Sequence, residues 1–163
     1  MIDNFVTFYF IMDDNDKRWC RHFIDELWKW KICQPFRYPV EPEINNCPDY
    51  FQIIKQPMDF QTIKYKLNQN SYEDIREFFN DLRLISYNAK QYNGEDTYYG
   101  KMAGDILDEV NKRAERKLKF KNDTLDELES LSAQISTLLA NPPPEATVSL
   151  PVRVNAKSNS KSY

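Results

Sequence analysis

The side chains that could do chemistry in this sequence point to binding rather than to reaction. Cys20, His22, Cys33 and Cys47 are its only cysteines and histidine. Their separations match no zinc motif, and Cys20 and His22, two apart in helical sequence, face different sides of a helix. No serine or cysteine stands where it would form a nucleophile and base with His22, and no carboxylates pair in an apolar run. Catalytic residues, a metal site and a cofactor are therefore not expected. Two stretches remain. One is Pro48-Asp49-Tyr50-Phe51, with Ile53-Ile54 and then Pro57-Met58-Asp59-Phe60. The other is Tyr87-Asn88-Ala89-Lys90-Gln91-Tyr92-Asn93-Gly94. Asn93 offers a carboxamide, which hydrogen-bonds without adding charge. The same Asn-Gly pair also suits a plain helix C-cap and turn, because both residues tolerate positive φ.

The elements that must position these stretches are helical. Trp19, Phe23, Leu27 and Trp30 share one helical face, which predicts a first helix over about Asp16–Ile32, opened by Asp13, Asp14 and Asp16 and closed before Pro35. From Gln34 to Met58 the chain is a long proline-punctuated loop with a short helical piece around Tyr50–Lys55. Phe36, Tyr38, Val40, Tyr50 and Phe51 give that loop something to pack. A second helix starts at Asp59, a suitable N-cap, with Phe60, Ile63 and Leu67 on its apolar face. Ser71 and Asp74 resemble a capping box opening a third helix, whose face is Ile75, Phe78, Phe79, Leu82, Ile85 and Ala89. A fourth begins near Thr97 and turns Met102, Ile106, Val110 and Ala114 inward. Four such stripes bury one another in a four-helix bundle.

Composition narrows the class further. The 163 residues suffice for one domain with a core, and 41% are hydrophobic. Only three glycines occur, Gly94, Gly100 and Gly104, which argues against an all-β fold and against a glycine-rich phosphate loop. A net charge of −3 does not suit a chain built mainly to hold nucleic acid. Three cysteines and no secretory leader fit a reducing compartment. The apolar run Phe5–Met12 is too short to span a bilayer, so no membrane is expected.

In order and separation, these motifs resemble the bromodomain family over about Asp16–Lys121. Gln34-Pro35-Phe36 sits where that family has its Trp-Pro-Phe shelf. Val40, Pro48-Asp49-Tyr50, Pro57-Met58-Asp59 and Tyr92-Asn93 follow at compatible distances. The resemblance implies an all-α, left-handed four-helix bundle with a long loop between its first two helices, and a module that reads acetylated lysine without catalysis. It implies that Asn93 holds the acetyl group and that Tyr50 reaches it through water. Phe36, Val40, Tyr92 and Tyr99 would form walls, Tyr99 as gatekeeper, with Pro35 and Cys47 beside them. The chemistry agrees. Acetylation removes lysine's charge and leaves an amide on an apolar stem. An unmodified ammonium would be desolvated there without an anion, at a cost of several kcal/mol. Gln34 departs from the family's tryptophan, and Asn45 and Cys47 from its usual aliphatic residues, so the shelf wall is smaller and more polar. Asn88 reads as a brace between loop and helix.

The resemblance further implies acetylated histone tails as ligand, other chromatin-complex subunits as partners, and a nuclear location. Glu41, Glu43, Asp49, Glu95 and Asp96 would frame the pocket and attract a basic tail, or serve only as solvated loop charges. The run Lys112, Arg113, Arg116, Lys117, Lys119 and Lys121 would either touch nucleosomal DNA weakly or simply complement a helix end. Leu128, Leu131, Ile135 and Leu138 mark an additional helical stretch over 122–140, a short coiled-coil-like seam that extends the fourth helix, packs back on the bundle or self-associates. Residues 1–15 are an extension and 141–163 a Pro/Ser/Lys-rich tail expected to be disordered. A rival reading is a helical interaction scaffold without acetyl-lysine binding, working through Phe5, Phe8, Tyr9 and Phe10 or through residues 123–140.

Overall fold

The computed structural model describes residues 12–142. The N-terminal aromatics Phe5, Phe8, Tyr9 and Phe10 and the tail from 143 onward lie outside the described residues. The chain divides into two units, one ending at Leu118 and the other beginning at Lys119. Helix α1 spans Asp14–Lys29. A 3-10 helix, Lys31–Phe36, follows. The short helix α2, Tyr50–Ile53, interrupts the long loop. Then come α3, Phe60–Asn68, α4, Ile75–Asn93, and α5, Tyr98–Ala140, whose residues from 119 onward belong to the second unit. Among the described residues there is no strand.

Local chemistry sets most boundaries. The Asp13 side chain accepts from Asp16 N at 2.7 Å and caps α1, with Asp14 and Asp16 in the first turn. Asp59 caps α3 with both oxygens, taking Thr62 N at 2.8 Å and Thr62 Oγ1 at 2.6 Å. Gly100 N donates to Thr97 Oγ1 at the start of α5.

Three expectations change. Helix α1 ends at Lys29 rather than Ile32. An α-helix continued through Lys31 would need the N–H of Pro35, which does not exist. The chain tightens at Trp30 instead, with Cys33 N bonded to Trp30 O, and Cys33 becomes fully buried. Helix α4 starts at Ile75 with Asp74 itself as N-cap, not with Ser71, because Tyr72 inserts into the core and its hydroxyl donates to Asp81 at 2.7 Å. On α5, Ala103 is buried and Met102 only half-buried, so the inward face is Ala103, Ile106, Val110 and Ala114.

These stripes make one core: Phe23, Ile24 and Leu27 of α1, Phe60 and Ile63 of α3, Phe78, Phe79 and Leu82 of α4, Ile106 and Val110 of α5. Trp19 packs against Phe23 and Phe79 at its edge. The architecture is an all-α helical bundle. Among the ion pairs that cross it, one is buried. Asp16 is 2% exposed and meets Lys117 Nζ at 2.8 Å. Lys117 also lies 5.7 Å from the centre of the Trp19 ring. Lys117→Met removes the cation of that pair and should lower the unfolding free energy by more than about 1 kcal/mol, measured by urea denaturation. A loss below about 1 kcal/mol would mean that water already screens the pair.

Candidate functional site

The long loop is anchored first at its start. Arg37 donates from its guanidinium to Trp28 O, stacks over the Trp28 ring, and accepts Gln61 N at its own carbonyl. It thereby ties the loop to α1 and α3 together. Further on, Asn45 Oδ1 accepts Glu41 N at 2.7 Å, while Cys47 N bonds Pro42 O and Asn46 takes a left-handed φ of 54°. Asn45, which departs from the aliphatic pattern, thus shapes the loop backbone.

The last turns of α4 then stitch the rest of the loop in place. Asn88 Nδ2 donates to Gln56 O at 2.7 Å. It is the brace anticipated from its position. Gln91 Nε2 reaches Ile53 O at 3.4 Å. The Tyr92 hydroxyl donates to Asp49 Oδ1 at 2.7 Å, and its ring meets that of Tyr50 edge-on at 5.1 Å. Cys47, Tyr50 and Ile54 form a small core of their own, with Val40 and Tyr92 packed against it. Asp49, expected as a rim charge, is therefore also a tether.

Between loop and helices lies a cavity of about 510 Å³. Pro35, Phe36, Val40 and Cys47 line it from the loop side, and Tyr50, Tyr92, Asn93 and Tyr99 from the helices. All eight candidate residues thus face one space. Gln34 and Asn45 line it too, at the shelf side. Sequence reasoning missed Ile85, Ala89, Met58, Tyr38 and Pro39 as lining. Ile85 and Ala89 could have been found, since they precede Asn93 by eight and four residues on one helical face. Tyr38 and Met58 carry no periodic signal. No lining residue is charged.

Asn93 Nδ2 donates to Ala89 O at 2.9 Å. That bond uses one of its two N–H groups and sets the carboxamide plane, leaving one N–H and the Oδ1 lone pairs for a ligand. A secondary amide presents the matching acceptor and donor. The Asn-Gly turn does cap the helix: Gly94, at φ 89°, bonds its N–H to Lys90 O at 2.8 Å. Capping and lining are one arrangement. Tyr50 is 7% exposed, and burial, then Cys47 and Asp59, raise its pKa. Its hydroxyl stays protonated and able to donate. The hydrogen bond to Asp49 pushes Tyr92 up to about 12. Among the described residues no group of three or more His, Cys, Asp or Glu is placed to hold a metal. None of the helices is long and apolar enough to cross a membrane, again among the described residues.

The chain is thus an all-α bundle whose long loop closes over an uncharged cavity edged by a carboxamide. The bromodomain family model matches residues 20–105. The chain belongs to the bromodomain family, the acetyl-lysine-reading modules. It is 36% identical over 62% of its length to the second bromodomain of Candida albicans Bdf1, solved with a bound imidazopyridine, covering 98% of that chain with a TM-score of 0.58. It is 35% identical over 69% of its length to the SWR1 complex bromodomain subunit bdf1 of Schizosaccharomyces pombe, and 36% identical over 63% to an ankyrin repeat, bromo and BTB domain-containing protein of Dictyostelium discoideum. The matches span only 20% and 13% of those two proteins. A match to the histone acetyltransferase GCN5 of Yarrowia lipolytica likewise covers 18% of that enzyme.

Two measurements check this geometry. A folded pKa raised above the tyrosine value of 10.0 means that the Tyr92–Asp49 bond contributes fully below pH 10 and is lost as pH rises through about 12. The difference between ultraviolet titrations of wild type and Tyr92→Phe should therefore have its midpoint near 12, and a midpoint near 10 would mean that the tether does not form. The second concerns Gly100, where a Cβ would lie 2.0 Å from Gly94 O and 2.7 Å from Glu95 O. Gly100→Ala must push the Asn93 turn away and should destabilise the fold by about 3 kcal/mol. An unchanged melting temperature would contradict that close approach.

Proposed function

We propose that this protein binds acetylated lysine on histone tails as a non-catalytic chromatin reader, with Asn93 as the direct clamp on the acetyl amide. The observation that carries the proposal is the absence of charge from the cavity lining, in a chain 29% of whose residues are charged. A lysine ammonium entering that space would find no anion, whereas an acetylated lysine brings an apolar stem and an amide. Phe36, Val40, Tyr92 and Tyr99 would pack along the stem and methyl group, with Pro35 and Cys47 completing the wall. Tyr50 would assist through a water bridging its hydroxyl to the acetyl carbonyl. Glu41, Glu43, Glu95 and Asp96 are exposed on the neighbouring loops and would favour a basic tail.

Placement in the nucleus and within a chromatin complex is supported by the character of the relatives, among them a complex subunit and an acetyltransferase. The protein would then act by recruiting or anchoring other subunits. A weak contact to nucleosomal DNA would rest on the exposed Lys112 and Arg116. Arg113 is already engaged by Glu26 and Glu109, and Lys117 by Asp16.

The test is an acetylated-histone peptide array followed by calorimetry on the best peptide. Asn93→Ala should weaken binding by about 30-fold or more, and Tyr50→Phe by roughly 5-fold. The unmodified peptide should not bind measurably. Equal affinity for acetylated and unmodified peptide, or an Asn93→Ala protein that binds as wild type does, would leave the scaffold reading in possession.

A further inference from the structure

The second unit presents a surface that the reader pocket does not use. Along α5, Leu128, Leu131, Ile135, Leu138 and Leu139 are each at least 53% exposed, and Leu139 is 78% exposed. The first four repeat at spacings of three and four, the seam of a helix that packs on another helix. Composition changes along the same segment. Asp123, Asp126, Glu127 and Glu129 make its first part acidic, while residues 130–140 contain no charged residue at all. A helix that stays solvated carries charge on its outer faces; this stretch carries serine, threonine, alanine and glutamine around an aliphatic seam. Ser132 and Ala133, beside that seam, are small and permit close approach of helix axes.

The geometry points to a second copy of this chain as the occupant, paired antiparallel along residues 125–140. The seam is self-complementary when reversed about Ala133: Leu128 falls opposite Leu138, and Leu131 opposite Ile135. That arrangement also sends the two acidic runs to opposite ends of the pair, whereas a parallel pair would set them side by side. Burying roughly 100 Å² from each of the four seam side chains removes roughly 400 Å² per copy and ~800 Å² in the pair, at the small end for a specific interface. The dimer is accordingly weak and reversible. It joins two domains, so that one particle offers two cavities to neighbouring marks.

Sedimentation equilibrium of the full chain under reducing conditions tests the pairing. Reduction keeps Cys20, Cys33 and Cys47 from linking copies. At about 200 µM the wild type should approach twice the mass of one chain, and at a few µM it should dissociate. Leu131→Asp combined with Ile135→Asp should remain monomeric throughout. Both side chains are exposed, so far-UV helicity and the melting temperature of the domain should change little. A second variant, Leu128→Asp, should weaken association in the same direction. A wild type that is monomeric at about 200 µM, as it would be if another protein covers this seam, overturns the proposal. So does a dimer that survives the double substitution.

Discussion

One turn and a half of helix holds the site together. The loop between Arg37 and Asp59 has a single short helix and a three-residue core, too little burial to offset the conformational entropy of fixing its backbone. Asn88, Gln91 and Tyr92 supply what is missing. Each sends a hydrogen bond from α4 into a different part of the loop, to Gln56, Ile53 and Asp49. Because Asn93 follows directly, the segment that fixes the loop also carries the carboxamide. The distance between carboxamide and wall is therefore set by one rigid piece of helix rather than by two independently moving parts.

The electrostatic layout follows from the same economy. Charges are held where they cap or cross helices, at Asp13, Asp59 and Asp74, and in the Asp16–Lys117 pair. Others sit exposed on the loops. The cavity itself is left to aromatic, aliphatic and amide groups. Asp49 stands at the boundary: its carboxylate is exposed, yet one oxygen is occupied by Tyr92. Under the proposed function, neutral lining with a charged surround would sort ligands: long-range attraction would bring a basic segment close and desolvation would then reject its charged side chains.

Much of this was legible in the sequence, because the signals are local or periodic. Asp59 as a cap, the inward stripes of α3 and α4, and the Asn-Gly turn depend only on neighbours in the chain. The misplaced boundaries have different causes. Tyr72 is drawn into the core and moves the start of α4, which no local propensity reveals, whereas the end of α1 follows from Pro35, a signal the sequence does carry. The cavity was legible where a family-like motif or a helical period marked it. Tyr38 and Met58 line it because of how an irregular loop folds over, and Gly100 is required by a backbone approach from the preceding turn. Non-repeating chain leaves no pattern from which such contacts can be read.

The 3-10 segment has a consequence of its own. Cys33 anchors it in the core, while its neighbour Gln34 is exposed and lines the cavity. Folding constrains the one position and leaves the other almost free. Drift at residue 34 can therefore alter which flanking groups a ligand may carry without eroding the stability that every copy of the protein must keep. A substitution at residue 34 would thus reshape one wall of the cavity while leaving the buried core, and the anchor at Cys33, untouched.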